Sequence, residues 1–160
     1  MRLLYRRLNG ADAHEAGLSL LEEAYGGPLP KIERTKLGKP YFADSSLHFS
    51  ISHTKNHAFC VLSERPVGID AEELDREINL HLAEKILSPM EMEQFRQADD
   101  PRLALLKFWV LKEAAGKCAG EGLQLWPNRT EFFLTDPRLQ EIDGCLVAII
   151  ENVKTTPAPK

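Results

Sequence analysis

Two rhythms of apolar residues divide this chain. Short runs of alternating or continuous apolar residues at 2–8, 47–51, 58–62 and 67–72 predict strands. Leu47, Phe49 and Ile51 alternate with polar neighbours and form the expected inward set of the second strand, which pairs with the third. Between the first two, Ala13, Ala16, Leu20, Leu21 and Ala24 follow a 3.6-residue period and predict a helix. Asp12 to Glu15 reads as its capping box, with Asp12 as N-cap and Glu15 reaching back, and Gly26-Gly27-Pro28 stops it. A short strand is expected at 31–35.

The second half is more helical. A turn at 63–66 feeds the strand at 67–72, and 74–79 reads as a connection. Ile78, Leu82 and Ile86 give 78–87 a helical face. Ser88-Pro89-Met90-Glu91 is the clearest helix start, with an N-cap serine, proline in the first position and glutamate in the third. Such a cap contributes about 1 kcal/mol. Asp100-Pro101 starts the next helix, which carries Leu105, Phe108 and Trp109 and ends at Gly120 and Gly122. Residues 123–127 are expected as a connector, 131–134, 139–142 and 145–153 as strands, and 155–160 as a frayed tail. Asp136-Pro137 and Asp143-Gly144 mark turns between them. No sequence repeat is visible.

The candidate chemistry lies between residues 67 and 117. Asp70 and Glu72 are two apart on a strand and point to one side; Glu113 and Lys117 are four apart on a helix and share a face with Trp109. Asp70 and Glu72 fit two readings, solvated strand-end charges or ligands of a hard cation. Glu113 and Lys117 likewise read as a surface ion pair or as part of the same site. Three carboxylates and a lysine meeting at one point suit Mg²⁺ or Mn²⁺, with open positions for substrate phosphates. Trp109 is expected in the core. Lys31, Arg34, Lys36 and Lys39 form a basic stretch, either a solvated loop or a clamp on the phosphates of a nucleotide.

Length and composition narrow the classes. The 160 residues suit one domain, or two small halves sharing a core. A net charge of −4 and a pI near 5.8 argue against non-specific nucleic-acid binding. Cys60, Cys118 and Cys145 are odd in number and widely spaced, which argues against a disulfide framework or zinc site. No signal peptide and no spanning apolar run is visible, so a reducing cytoplasm is the expected compartment and no membrane partner is expected.

Four ordered pieces resemble the 4′-phosphopantetheinyl transferases of the surfactin type. They are Gly38-Lys39-Pro40, Phe49-Ser50-Ile51-Ser52-His53, Gly68-Ile69-Asp70-Ala71-Glu72, and Trp109 followed by Lys112-Glu113-Ala114 and Lys117. The resemblance implies an α+β fold of two similar halves about a pseudo-twofold with the site between them. The halves are placed at about 1–72 and 73–153, within one domain. It implies transfer of the phosphopantetheine arm of coenzyme A to a serine of an apo acyl or peptidyl carrier protein. Asp70, Glu72 and Glu113 would be metal ligands, and Glu113 and Lys117 the catalytic pair, with Glu113 as base. Lys36, Lys39, Pro40, Ser52, His53, Asp70, Lys112 and Lys117 would contact coenzyme A. Lys112 lies about 100° round the helix from Glu113, facing solvent or the cofactor. Few residues precede the Gly-Lys-Pro piece, so no adenine-side pocket is assigned. Trimeric relatives carry the Asp-x-Glu piece close to their N-terminus; here a whole half precedes it, so a monomer is expected. Carrier docking is expected at 74–87, where Leu80 stands out. Two rival classes are a metal-dependent phosphoesterase and a non-catalytic coenzyme A or carrier-binding module. No strained Gly-x-Ser-x-Gly turn surrounds any serine, which leaves a hydrolase triad unsupported.

Overall fold

The computed structural model describes residues 1–121 and 130–152. Strand β1 (Arg2–Arg7) leads to helix α1 (Ala13–Tyr25). Asp12 Oδ1 accepts the Glu15 N–H at 2.9 Å, so the forward half of the expected capping box forms. Glu15 stays exposed and does not reach back. Two short strands, β2 (Ile32–Arg34) and β3 (Pro40–Phe42), form a hairpin of their own, and the Gly-Lys-Pro piece enters β3. The expected pair follows as β4 (His48–His53) and β5 (His57–Ser63).

Strand β6 (Val67–Glu73) opens the second sheet. The expected helix at 78–87 is broken into a 3₁₀ turn at Leu80–Leu82 and the single turn α2 (Ala83–Ile86). Helix α3 (Pro89–Gln97) has the complete Ser88–Glu91 capping box. Helix α4 (Pro101–Ala119) runs from the Asp100 cap to Gly120. The strands β7 (Leu139–Ile142) and β8 (Cys145–Glu151) close the sheet. Their turn places Asp143 and Gly144 at φ of 48° and 79°. This is the two-residue hairpin backbone that Asp-Gly favours. The expected connector at 123–127, the helix-ending Gly122 and the tail at 155–160 lie outside the described residues.

One expected strand does not form. Residues 131–134 are irregular. The Phe132 N–H donates to Glu91 Oε2 at 2.9 Å, the Leu134 N–H donates to Gln94 Oε1 at 3.0 Å, and Gln94 Nε2 donates to the Phe132 carbonyl at 3.1 Å. Side chains of α3 thus satisfy the backbone that a neighbouring strand would have paired.

The strand orders β1-β5-β4 and β6-β8-β7 are the same topology, each antiparallel, with the third strand of the unit in the middle. Because β6 pairs with β8, the turn before Val67 separates the two sheets. Helix α1 covers one face of the first sheet through Leu20, Leu21 and Ala24 against Ala58, Cys60 and Leu62. Helix α4 covers the second sheet through Leu111 and Ala114 against Ala148 and Ile150. Phe59 and Val61 of β5 pack with Ile69 of β6 and Val147 of β8 in a third buried cluster. Strand β5 is therefore buried on both faces, which accounts for its continuous apolar run.

The sheets also meet along an edge, between β4 and β6. Ser50 Oγ accepts the Ile69 N–H and Ser52 Oγ accepts the Ala71 N–H, each at 3.1 Å. Two hydroxyls thereby take up N–H groups of β6 that point away from its partner β8. On the other side α4 lies almost in contact with the β6 backbone. A Cβ on Gly68 would stand 2.1 Å from the Ala114 carbonyl oxygen and 2.4 Å from the Cys118 nitrogen. Only glycine permits that approach, and it brings α4 to the strand end that carries Asp70 and Glu72.

Candidate active site

Asp70 and Glu72 of β6 and Trp109, Glu113 and Lys117 of α4 line one cleft, with Ser52 and His53 of β4 at its side and Arg76 at its rim. The shared helix face of Trp109, Glu113 and Lys117 is as the spacing predicts. Trp109 is only half-buried, contrary to its expected place in the core. It packs against the second core and carries the Arg76 guanidinium over its ring, 5.6 Å from the centroid.

Asp70 is the buried member of the group, with 7% of its surface exposed. Ser52 Oγ donates to its Oδ1 at 3.4 Å and Lys117 Nζ does so at 3.3 Å. Its Oδ2 is buried and has no hydrogen-bond partner. Burial pushes the carboxyl up to about 7, with Lys117 opposing and Glu113 and Glu72 adding to the rise. Burial also pushes Glu113 above the usual carboxylate range; Lys117 and Arg76 oppose this and Glu72 reinforces it. An orphaned buried oxygen beside two more carboxylates is a donor set suited to a hard cation such as Mg²⁺. The three carboxylates do not close to within 4.8 Å of one another among the described residues. Glu72 is instead held by Arg76, four residues on.

Lys117 is fixed more firmly than an isolated ion pair would hold it. Its Nζ donates to the Ile69 carbonyl at 2.9 Å and to the Ile51 carbonyl at 3.4 Å, besides Asp70. It therefore ties β4 to β6 while placing a positive charge at the cleft.

A second, largely apolar cleft adjoins the first and shares Ile51 and Lys117 with it. Leu37, Gly38, Lys39 and Pro40 form one wall, Gly116 and Gly120 the other. Lys39 Nζ donates to the Cys118 carbonyl at 2.9 Å, so the Gly-Lys-Pro loop is docked on the end of α4. Burial lowers the Lys39 ammonium below its ordinary value, with Cys118 opposing. Lys36 is exposed on the turn between β2 and β3 and lines neither cleft.

Lys112 departs from its expected place at the cofactor. It is 2% exposed, and its Nζ lies 2.8 Å from Glu91 Oε1 and donates to the Thr130 carbonyl at 3.3 Å. The rotation of about 100° from Glu113 turns it into the interior, where Glu91 neutralises it. Sequence reasoning missed Arg76, whose signal was its spacing of four from Glu72.

A family model for the 4′-phosphopantetheinyl transferase superfamily matches residues 66–150, the stretch that holds Asp70, Glu72, Glu113 and Lys117. The chain is 34% identical over 122 residues to the 4′-phosphopantetheinyl transferase HetI of Nostoc sp., an overlap of 68% of this chain and 52% of that protein. It is 32% identical over 96 residues to the 4′-phosphopantetheinyl transferase gsp of Aneurinibacillus migulanus, covering 59% of this chain and 40% of the relative. A 4′-phosphopantetheinyl transferase of Bacillus subtilis is 34% identical over 91 residues, 55% of this chain and 40% of the relative. The chain thus spans about half the length, or less, of these curated relatives.

Proposed function

The chain belongs to the 4′-phosphopantetheinyl transferase superfamily, and from that premise we propose that it moves the phosphopantetheine arm of coenzyme A onto a serine of an apo acyl or peptidyl carrier protein, releasing adenosine 3′,5′-bisphosphate. The observation that carries the reading is the convergence of Asp70, Glu72, Glu113 and Lys117 on one cleft that opens into the apolar cleft under the Gly-Lys-Pro loop.

Asp70, Glu72 and Glu113 would hold Mg²⁺, or Mn²⁺, which when bound supplies positive charge to the diphosphate of coenzyme A. The partnerless Asp70 Oδ2 supports that assignment. Lys117, immobilised by two backbone carbonyls, presents a fixed ammonium to the same phosphates. Lys39 and His53, which line the two clefts, would grip the cofactor phosphates, and Pro40 frames the loop; Lys36 lies outside both clefts and would reach only the part of the cofactor that projects from them. Ser52 acts through Asp70, to which its hydroxyl donates. Glu113 accepts the proton of the carrier serine, directly or through a water. Burial raises its basicity while the rigid α4 holds it in place.

The common strand order of the two sheets supports reading them as halves about a pseudo-twofold. The cleft draws on β4 of the first sheet and on β6 and α4 of the second, and we propose that the protein is a monomer and acts in the cytoplasm. Among the described residues, no helix is long and apolar enough to cross a membrane. The test is release of adenosine 3′,5′-bisphosphate from coenzyme A and Mg²⁺ with and without an apo-carrier. Release only with carrier is expected. Release without carrier would make the protein a phosphoesterase, and no release in either would leave a binding module.

A further inference from the structure

A second polar cluster lies on the face of β6 opposite the carboxylates of the cleft. Glu73 follows Glu72 and therefore points the other way. Against it stand His57 of β5 and Cys145 of β8. Cys145 Sγ is 3.4 Å from His57 Nδ1 and 3.5 Å from Glu73 Oε2, and His57 Nδ1 is 3.4 Å from Glu73 Oε1. A tetrahedral zinc ion binds sulfur at about 2.3 Å and nitrogen or oxygen at about 2.0–2.2 Å, which sets its ligand atoms roughly 3.3–3.6 Å apart. The Sγ–Nδ1 distance falls in that interval, as do the approach of Sγ to one Glu73 oxygen and that of Nδ1 to the other; with one oxygen of Glu73 counted, the three ligand atoms lie within 4.8 Å of one another.

The groups behind the triangle match the same chemistry. His57 Nε2 lies 2.8 Å from Asp143 Oδ2, and Arg7 holds Asp143 with two hydrogen bonds of 2.6 and 2.7 Å. An imidazole that donates from Nε2 to a carboxylate leaves the Nδ1 lone pair facing Cys145 and Glu73. Carboxylate, imidazole and metal in series is the usual support of a histidine ligand. Thr54 Oγ1 donates to Glu73 Oε1 at 2.7 Å and orients that carboxylate too. Sulfur, imidazole nitrogen and one carboxylate form a donor set of borderline softness. That suits Zn²⁺ and not the Mg²⁺ of an all-oxygen site.

We propose that His57, Glu73 and Cys145 bind one Zn²⁺, with a fourth position left to water, and that the ion fastens the first sheet to the second. Binding displaces the Cys145 thiol proton to solvent and leaves a thiolate on the metal. The ligands come from β5 on one side and β6 and β8 on the other, so the ion bridges the sheets directly beneath the strand end that carries Glu72.

The experiment uses the full chain, stripped of metal by chelation and titrated with Co²⁺ and then Zn²⁺. One equivalent of Co²⁺ should give a thiolate-to-cobalt charge-transfer band, which Zn²⁺ abolishes. An all-oxygen site at Asp70 cannot give that band. It should be absent in Cys145→Ser and His57→Gln. In Asp143→Asn, which keeps a residue that tolerates the positive φ of the turn, the affinity should fall roughly 10–100-fold. Absence of the band in the unaltered protein overturns the site without recourse to any variant. A band that persists in Cys145→Ser belongs to another cysteine and overturns it as well, and an unchanged affinity in Asp143→Asn refutes the supporting role of that carboxylate.

Discussion

Replacing Gly68 by alanine tests whether the close approach of α4 to β6 assembles the site. The added Cβ would meet the Ala114 carbonyl oxygen at 2.1 Å and the Cys118 nitrogen at 2.4 Å. Both are backbone atoms and neither can rotate aside. Ordinary contact starts near 3.4 Å, so α4 must lift by about 1.3 Å. Overpacking of this kind costs about 1–3 kcal/mol, and a clash with backbone belongs at the upper end. At roughly 2–4 °C per kcal/mol for a chain of this size, Tm should drop by roughly 6–12 °C. The same shift carries Glu113 and Lys117 away from Asp70, and a misplacement near 1 Å costs on the order of 10²-fold in rate. Gly27→Ala is the control, because a Cβ there meets nothing within 4 Å. The assays are calorimetry and carrier-dependent turnover at saturating coenzyme A. If Gly68→Ala melts with the wild type and turns over at the same rate, the packing argument is wrong.

The other predictions each separate two roles. Lys112→Met leaves the fully buried Glu91 without its cation, which should cost about 3–5 kcal/mol and lower Tm by roughly 6–20 °C; a raised KM for coenzyme A with unchanged Tm would return Lys112 to the cofactor. Asp70 has a folded-state pKa raised from 3.8 to about 7, so its ionisation is disfavoured in the fold and stability falls as pH rises from about 4 through about 7. In chelator, Asp70→Asn should therefore be more stable than the wild type at pH 8, by at most roughly 4 kcal/mol, with little difference at pH 4. Equal stability at pH 8 would refute the desolvated carboxylate. Leu80 is 45% exposed on the turn leaving the site, and Leu80→Asp should raise KM for the carrier while leaving coenzyme A binding alone; a lower Tm with unchanged KM would move the docking surface elsewhere.

The elements set by local chemistry were the easiest to read from sequence. Ser88, Pro89 and Glu91 specify their helix start within four residues, and Asp143-Gly144 specifies its turn within two. Asp70 and Glu72, or Glu113 and Lys117, share a face by periodicity alone. What could not be read depends on partners far along the chain. The segment 131–134 has strand-like apolar residues, yet its hydrogen bonds go to Glu91 and Gln94 about forty residues earlier. Lys112 and Lys117 look alike in sequence, and the buried Glu91 that lets Lys112 turn inward lies on a different helix. His57, Glu73 and Cys145, the residues of the proposed zinc site, come from three strands that local pattern does not bring together.

In the proposed transfer a metal-assisted cleft positions the carrier serine, and Glu113 takes its proton. The most direct measurement is the intact mass of an apo-carrier after incubation with coenzyme A, Mg²⁺ and either the wild type or Glu113→Gln. The wild type should add one phosphopantetheine arm to each carrier and none to a carrier whose serine is alanine. Glu113→Gln should lose more than the ~10²–10⁴-fold typical of removing a general base, because it loses a proposed metal ligand too. A carrier that gains no mass with the wild type contradicts transfer, and full recovery of Glu113→Gln by added Mg²⁺ contradicts its role as base.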